Sequence, residues 1–179
     1  MAGTGLDRAA NLLGALALVV ADRTGDAIGG AAGQSTTAAT ALSALHHFLD
    51  RPSVDRLRQV LGLTSSGTVR LVDRLVEAGH VRRESGTDGR STVVVLTAAG
   101  RRAARKVAAA RAAVLGEALA GLTPDERRAL EGITSRVLVG LMRGPGATRW
   151  MCRLCDTHAC GRERGECPVA NAARERYLT

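Results

Sequence analysis

LTSSGTVRLVDRLVEAGHVRRESGTDGRSTVVVLTAAG, residues 63–100, changes its hydrophobic period half way along. From Ser65 to about Ala78 the pattern is helical. At about 100° per residue, Thr68, Leu71, Val72, Leu75 and Val76 share one face, with Val69 at its edge. Thr64 stands where a helix cap belongs and Gly79 where a helix ends. After Gly79 the period shortens. HVRRE (80–84) and STVVVL (91–96) read as strands, and SGTDGR (85–90) joins them through an Asp-Gly turn signal. Just upstream, Val54 to Leu61 reads as a short helix with Leu57, Val60 and Leu61 apolar, followed by a turn at Leu61-Gly62-Leu63. Helix, turn, helix and hairpin is the order of a winged helix-turn-helix.

The second helix of that unit carries the chemistry. Its apolar face must pack, which leaves Ser65, Ser66, Gly67, Arg70, Asp73, Arg74 and Glu77 pointing away. Small residues at the N-terminus allow close approach to DNA. Arg70 and Arg74, one turn apart, offer bidentate bonds to guanine or to phosphate. Against this stands a solvated face with Arg70 and Asp73 paired along the helix. The hairpin that follows favours the DNA reading, because a wing beside a reading helix reaches the backbone or minor groove. Arg90 at its tip suits a narrow groove, and Asp88 is placed to orient an arginine.

Outward from this stretch the chain is largely helical. Leu6 to about Ile28 reads as one amphipathic helix, GGAAGQS (29–35) as a loop, and Ser35 as the cap of a helix running to about Leu49. Arg51-Pro52-Ser53 breaks the pattern. Thr97 opens an Ala-rich helix to about Leu122, and Thr123-Pro124 opens another to about Arg143. Gly144-Pro145-Gly146 is a linker, and Pro168 is placed to start a last short helix. Leu6, Leu12, Leu13 and Leu16 form one stripe; Leu130, Ile133, Val137, Leu141 and Met142 form a second. A monomer leaves such helices half exposed. A homodimer buries them and sets two reading helices about 34 Å apart, matching a pseudo-palindromic operator.

The run RLVDRL-x-x-AG-x-V-x-R, the D-x-R wing tip and the L-T-x-x-G after the second strand resemble the DNA-binding core of the MarR family of bacterial transcriptional regulators. The helical order fits residues 5–143. The resemblance implies a mainly α (α+β) fold, a winged helix-turn-helix with long N- and C-terminal dimerisation helices. The divisions are dimerisation and support helices at 5–50, the DNA-binding lobe at 51–97, C-terminal dimerisation helices at 98–143, and a cysteine-rich tail at 148–179. It implies an obligate dimer, paired through the N- and C-terminal helices. It places Ser66 and Arg70 at major-groove positions and Arg90 at the wing-tip contact, with a small-molecule effector held between the dimer helices and the lobe. His46 and His47 lie near that region, where surface or core histidines are the simpler reading. Val69 departs from the Ser or Thr common before the reading-helix arginine; if it reaches a base, it meets a thymine methyl group.

The bulk properties agree. A formal charge of +8 and a pI near 10.8 suit a polyanion. Lys106 is the only lysine, so nearly all of that charge is arginine. Three aromatic residues are too few for a single-strand stacking platform. There is no nucleotide-binding loop, Ser/His/Asp array or carboxylate pair in an evident cleft, so an enzyme is not expected. NLLGALALVVA (11–21) is too short to cross a bilayer, which takes about 20 residues. It reads as helix rather than as a secretory signal. The expectation is a cytoplasmic bacterial protein without membrane contact, associated with the nucleoid when bound to DNA.

All four cysteines, Cys152, Cys155, Cys160 and Cys167, fall within sixteen residues of the tail. A C-x2-C pair can grip one metal, and two more thiolates close a tetrahedron. The tail has few apolar residues and cannot build its own core, whereas a metal supplies folding energy directly. Zn2+ is the favoured occupant and an iron–sulfur cluster the alternative, since Cys167-Pro168 echoes a ferredoxin ending although the spacing before it does not. A redox switch is third, because Arg153, Arg162 and Arg164 favour thiolates. The competing function is a metal- or redox-binding protein whose winged helix mediates protein contacts; outward Arg70, Arg74 and Arg90 argue against it.

Overall fold

Residues 5–86, 91–144 and 146–177 are described by the structure, a computed structural model. Helix α1 (Arg8–Ala32) begins at Asp7, whose carboxylate accepts from the Ala10 amide at 2.6 Å. It does not stop near Ile28 as the glycines suggest. It continues through Gly29 and Gly30 and ends at Gly33, which takes the left-handed conformation at φ 58°. Packing of Ile28 and Ala32 against Ala39 of the next helix and Val107 of the later long helix outweighs the weak helix propensity of glycine here.

Helix α2 (Thr36–His47) is capped by Ser35, and α3 (Val54–Leu61) by Ser53. Thr64 caps α4 (Ser65–Glu77) by accepting from the Gly67 amide at 3.1 Å. Strands β1 (Val81–Ser85) and β2 (Thr92–Leu96) pair antiparallel, with Val81 opposite Leu96 and Ser85 opposite Thr92. The α2–α3 corner joins this hairpin: the Val94 amide donates to the Pro52 carbonyl at 2.9 Å, and Ser53 bridges Val93. Thr97 caps α5 (Ala98–Ala118). Gly100 lies so close to the end of α4 that a Cβ on it would stand 1.9 Å from the His80 carbonyl oxygen. This is the physical content of the glycine in L-T-x-x-G.

One core unites the lobe. Leu42, Leu57, Val60, Leu71, Val72, Leu75, Val81 and Val94 are all buried in it. Helix α6 (Pro124–Gly140) opens with a capping box between Thr123 and Glu126, yet none of its described residues is buried. Beyond it come α7 (Ala147–Met151), a 3-10 turn at Arg162–Arg164, and α8 (Pro168–Tyr177). Among the described residues no helix is long and apolar enough to cross a membrane.

Met142 departs from the expected dimer stripe. It is buried with Cys167, Val169, Ala172 and Ala173 under α8, because the chain turns back after α6 and lays the tail against its end.

Candidate nucleic-acid interface and thiol cluster

Thr68, Leu71, Val72 and Leu75 seat α4 in the core. Their burial fixes its rotation and turns Ser65, Ser66, Arg70 and Arg74 to solvent, with Gly67 half-buried. Val69 is 46% exposed at the edge, where a methyl contact to a base is accessible. Val76, expected on the packed face, is exposed, although its neighbour Leu75 is fully buried.

The charges do not follow the simple helix-face pattern. Asp73 pairs with Arg83 of β1 at 2.6 Å, not with Arg70. Among the described residues Arg70 and Arg74 have no hydrogen-bond or ion-pair partner. The base of the wing is stiffened by Glu84, which accepts from Arg51 and Arg82, each at 2.5 Å. The Arg51 bond, more than any other influence, holds the Glu84 carboxyl below its ordinary range. Asp88 and Arg90 lie outside the described residues, so the structure places no wing-tip contact.

Arginines facing outward from a buried helix, backed by a hairpin, form a surface suited to a major groove and its flanking phosphates. Residues 33–91 match the family model described as MarR family. That matched stretch, which spans most of the winged helix-turn-helix, is MarR-like. A MarR-family regulator from Silicibacter pomeroyi is 28% identical, with a TM-score of 0.55, over 70% of this chain and 87% of that one. RV1404 from Mycobacterium tuberculosis is 24% identical, with a TM-score of 0.65, over 76% and 94%. CouR from Rhodococcus jostii, solved bound to p-coumaroyl-CoA, is 21% identical, with a TM-score of 0.59, over 75% and 95%. No curated protein matches the sequence. The tail lies beyond the residues that the family model matches.

That tail gathers its cysteines in two pairs. Cys152 and Cys155 form one. A hydrogen bond from the Cys152 thiol brings Cys155 down to about 6, assisted by the charges of Arg111 and Arg162, and pushes Cys152 up. Cys160 and Cys167 form the other, within electrostatic range of the first; burial and Cys167 push the Cys160 thiol up, and it donates to the Thr157 carbonyl at 3.5 Å. All four are free thiols, with Cys152 and Cys167 buried. The pairs are neighbours but not a closed cage. Among the described residues no three His, Cys, Asp or Glu side chains stand in a metal-holding arrangement.

The pairs are tied to the rest of the molecule by residues that sequence reasoning did not single out. Leu154 packs against Ile28, Ala39 and Val107, where α1, α2 and α5 meet. Thr157, itself buried, donates to the His47 carbonyl at 3.1 Å, and Asp156 stands 4.0 Å from His47 Nδ1. His47 is thus a half-buried contact of the tail, its basicity lowered first by burial. Arg149 of α7 donates to Gln59 of α3 at 2.9 Å. Nothing in the local spacing announces these contacts.

Proposed function

We propose that this chain is a homodimeric transcriptional regulator, a repressor rather than an enzyme, that reads a pseudo-palindromic site in double-stranded DNA. The observation that carries the reading is the pair Arg70 and Arg74, solvent-facing and unpartnered among the described residues, on a helix whose other face is locked in the core. Ser65, Ser66, Gly67 and Val69 line the approach, and Arg90, with Asp88 beside it, serves the wing tip. Supporting the dimer, Leu12, Leu13, Leu16 and Val19 of α1 and Ile133, Val137 and Leu138 of α6 stand exposed in stripes. A second copy is the occupant that satisfies both stripes by symmetry.

A cleft of about 620 Å³ opens between these helices, lined by Leu16, Val20, Ile28, Leu115, Leu138 and Leu154. Its size suits a small-molecule effector, and CouR, a relative in fold, binds an acyl-CoA. In the tail, Cys152, Cys155, Cys160 and Cys167 bind Zn2+ in this reading. Four thiolates and one divalent ion leave a charge of −2, and Arg111 and Arg162 beside Cys155 offset it. An iron–sulfur cluster has the same donors and is distinguished by its visible absorption.

The test is selection of duplexes from a random-sequence library by the full-length protein, followed by affinity measurements. An inverted repeat is expected, bound by a dimer. Arg70→Ala should weaken specific binding by about 1–3 kcal/mol and relax preference at one base pair. Arg74→Ala should act more evenly across sequences and lower the salt slope. Unchanged affinity in both variants, or a stable monomer at micromolar concentration by light scattering, defeats the reading.

A further inference from the structure

Arg70 and Arg74 of the reading helix are exposed, as contact with a duplex requires. Three other arginines are placed differently. Arg56 of α3, Arg149 of α7 and Arg162 of the 3-10 turn are half-buried, and all three line one cavity of about 370 Å³ between α3 and the tail. Phe48, Leu49 and Val60 give that cavity an apolar wall, and Thr148 adds a hydroxyl. Its volume lies at the small end of ligand pockets, which run from about 300 to 1,000 Å³. None of the described lining residues is acidic.

Guanidiniums drawn together and partly out of water repel one another and lose hydration. A carboxylate is the usual compensation. Arg149 instead donates to the neutral amide oxygen of Gln59 at 2.9 Å. Arg56 and Arg162 make no side-chain hydrogen bond or ion pair among the described residues. Arg162 has the Cys155 thiol within electrostatic range, but shares it with Arg111. The acids of the same segments are engaged or turned outward. Asp55 accepts from Arg58 at 2.7 Å and from Gln59 at 2.9 Å, Glu166 accepts from Arg164 at 2.7 Å, and Glu163 is exposed. The cavity therefore holds more positive charge than its own side chains neutralise.

We propose that this cavity binds a small phosphate monoester. The dianionic phosphate sits among Arg56, Arg149 and Arg162, and an apolar or aromatic body lies against Phe48, Leu49 and Val60. The planar fork of arginine matches phosphate oxygens two at a time. A single carboxylate would leave two of the three charges unmatched. A duplex is too broad to bring its phosphates into so small a recess. The site shares no lining residue with the cleft between α1, α5 and α6, and it draws on no cysteine. Because one wall is α3 and the other the tail, the bound anion bridges the two.

Calorimetric titration of the full-length, reduced protein with adenosine monophosphate at fixed ionic strength tests this. One molecule should bind per chain. Inorganic phosphate should bind more weakly, because it leaves the apolar wall unused. Arg56→Gln and Arg162→Gln should each weaken binding of adenosine monophosphate at least about tenfold. These residues stand on separate elements, so a folding defect in one variant leaves the other to decide. Arg58→Gln, on the same helix but outside the cavity, should bind as the parent does. Absence of saturable binding overturns the proposal, as does adenosine binding as tightly as its monophosphate. Equal weakening by Arg58→Gln would show a diffuse basic surface and overturn it too. Cavity variants that lose affinity for duplex DNA but keep adenosine monophosphate would make these arginines DNA contacts instead.

Discussion

The winged lobe and the cysteine tail are built on opposite principles. The lobe buries Leu42, Leu57, Leu71, Leu75 and several valines in one continuous core. Its functional arginines are a by-product of that burial, since seating one face of α4 exposes the other. In its own cluster the tail buries only Val169, two alanines and Cys167, against Met142 from the end of α6. It is fastened to the rest of the molecule by the packing of Leu154 and by the bonds of Thr157 to His47 and of Arg149 to Gln59. The lobe is thus expected to be indifferent to thiol reagents, and the tail sensitive to them.

The sharpest way to break the comparison is to damage each region separately. Leu75 is fully buried, and Leu75→Ala should cost about 3 kcal/mol of global stability. Urea denaturation should show the midpoint fall equally with and without chelator; a chelator-dependent loss would mean that the two regions share one core. Leu154→Ala removes the tail's apolar anchor. It should cost about 1 kcal/mol, confined to the tail. Limited proteolysis should cut faster around residues 150–165 while the unfolding midpoint of the lobe stays put. The smallest effect concerns Glu84. Its carboxyl titrates below the ordinary value of 4.5 because Arg51 bonds it, so it stabilises the fold at neutral pH and loses that contribution as pH falls through the acid range. Thermal melts of Glu84→Gln and the parent should differ slightly at pH 7 and converge near pH 3. Curves that stay apart in acid would show that the glutamate acts through shape rather than charge.

Local chemistry was legible in the sequence. Ser35, Thr64, Thr97 and Thr123 each cap the helix expected of them, because a cap needs only a side chain three residues from its partner. The bounds of α3 and the buried residues of α4 follow from periodicity for the same reason. The misses depend on distant contacts. The extension of α1 through Gly29 and Gly30 goes with the packing of Ile28 and Ala32 on α2 and α5. The burial of Met142 depends on α8, and α7 lies in a stretch expected to follow directly from a linker. The competing reading paired Asp73 with Arg70 along the helix, but Arg83 across the turn reaches it instead. The tether from Thr157 to His47 spans 110 residues and leaves no local trace. The cysteines were identifiable as a group from spacing alone, whereas their pairing and their neighbours in the fold were not.

The two bonds by which the α2–α3 corner joins β2, Pro52 to Val94 and Ser53 to Val93, make the hairpin a lever. Its fulcrum is the corner itself, and its free end is the stretch that would meet DNA. The joined residues, Val93 and Val94, lie near the tip-side end of β2, so the corner fixes the hairpin close to its tip. Because α4 is seated in the same core, lever and reading helix turn together, and misalignment costs both contacts at once.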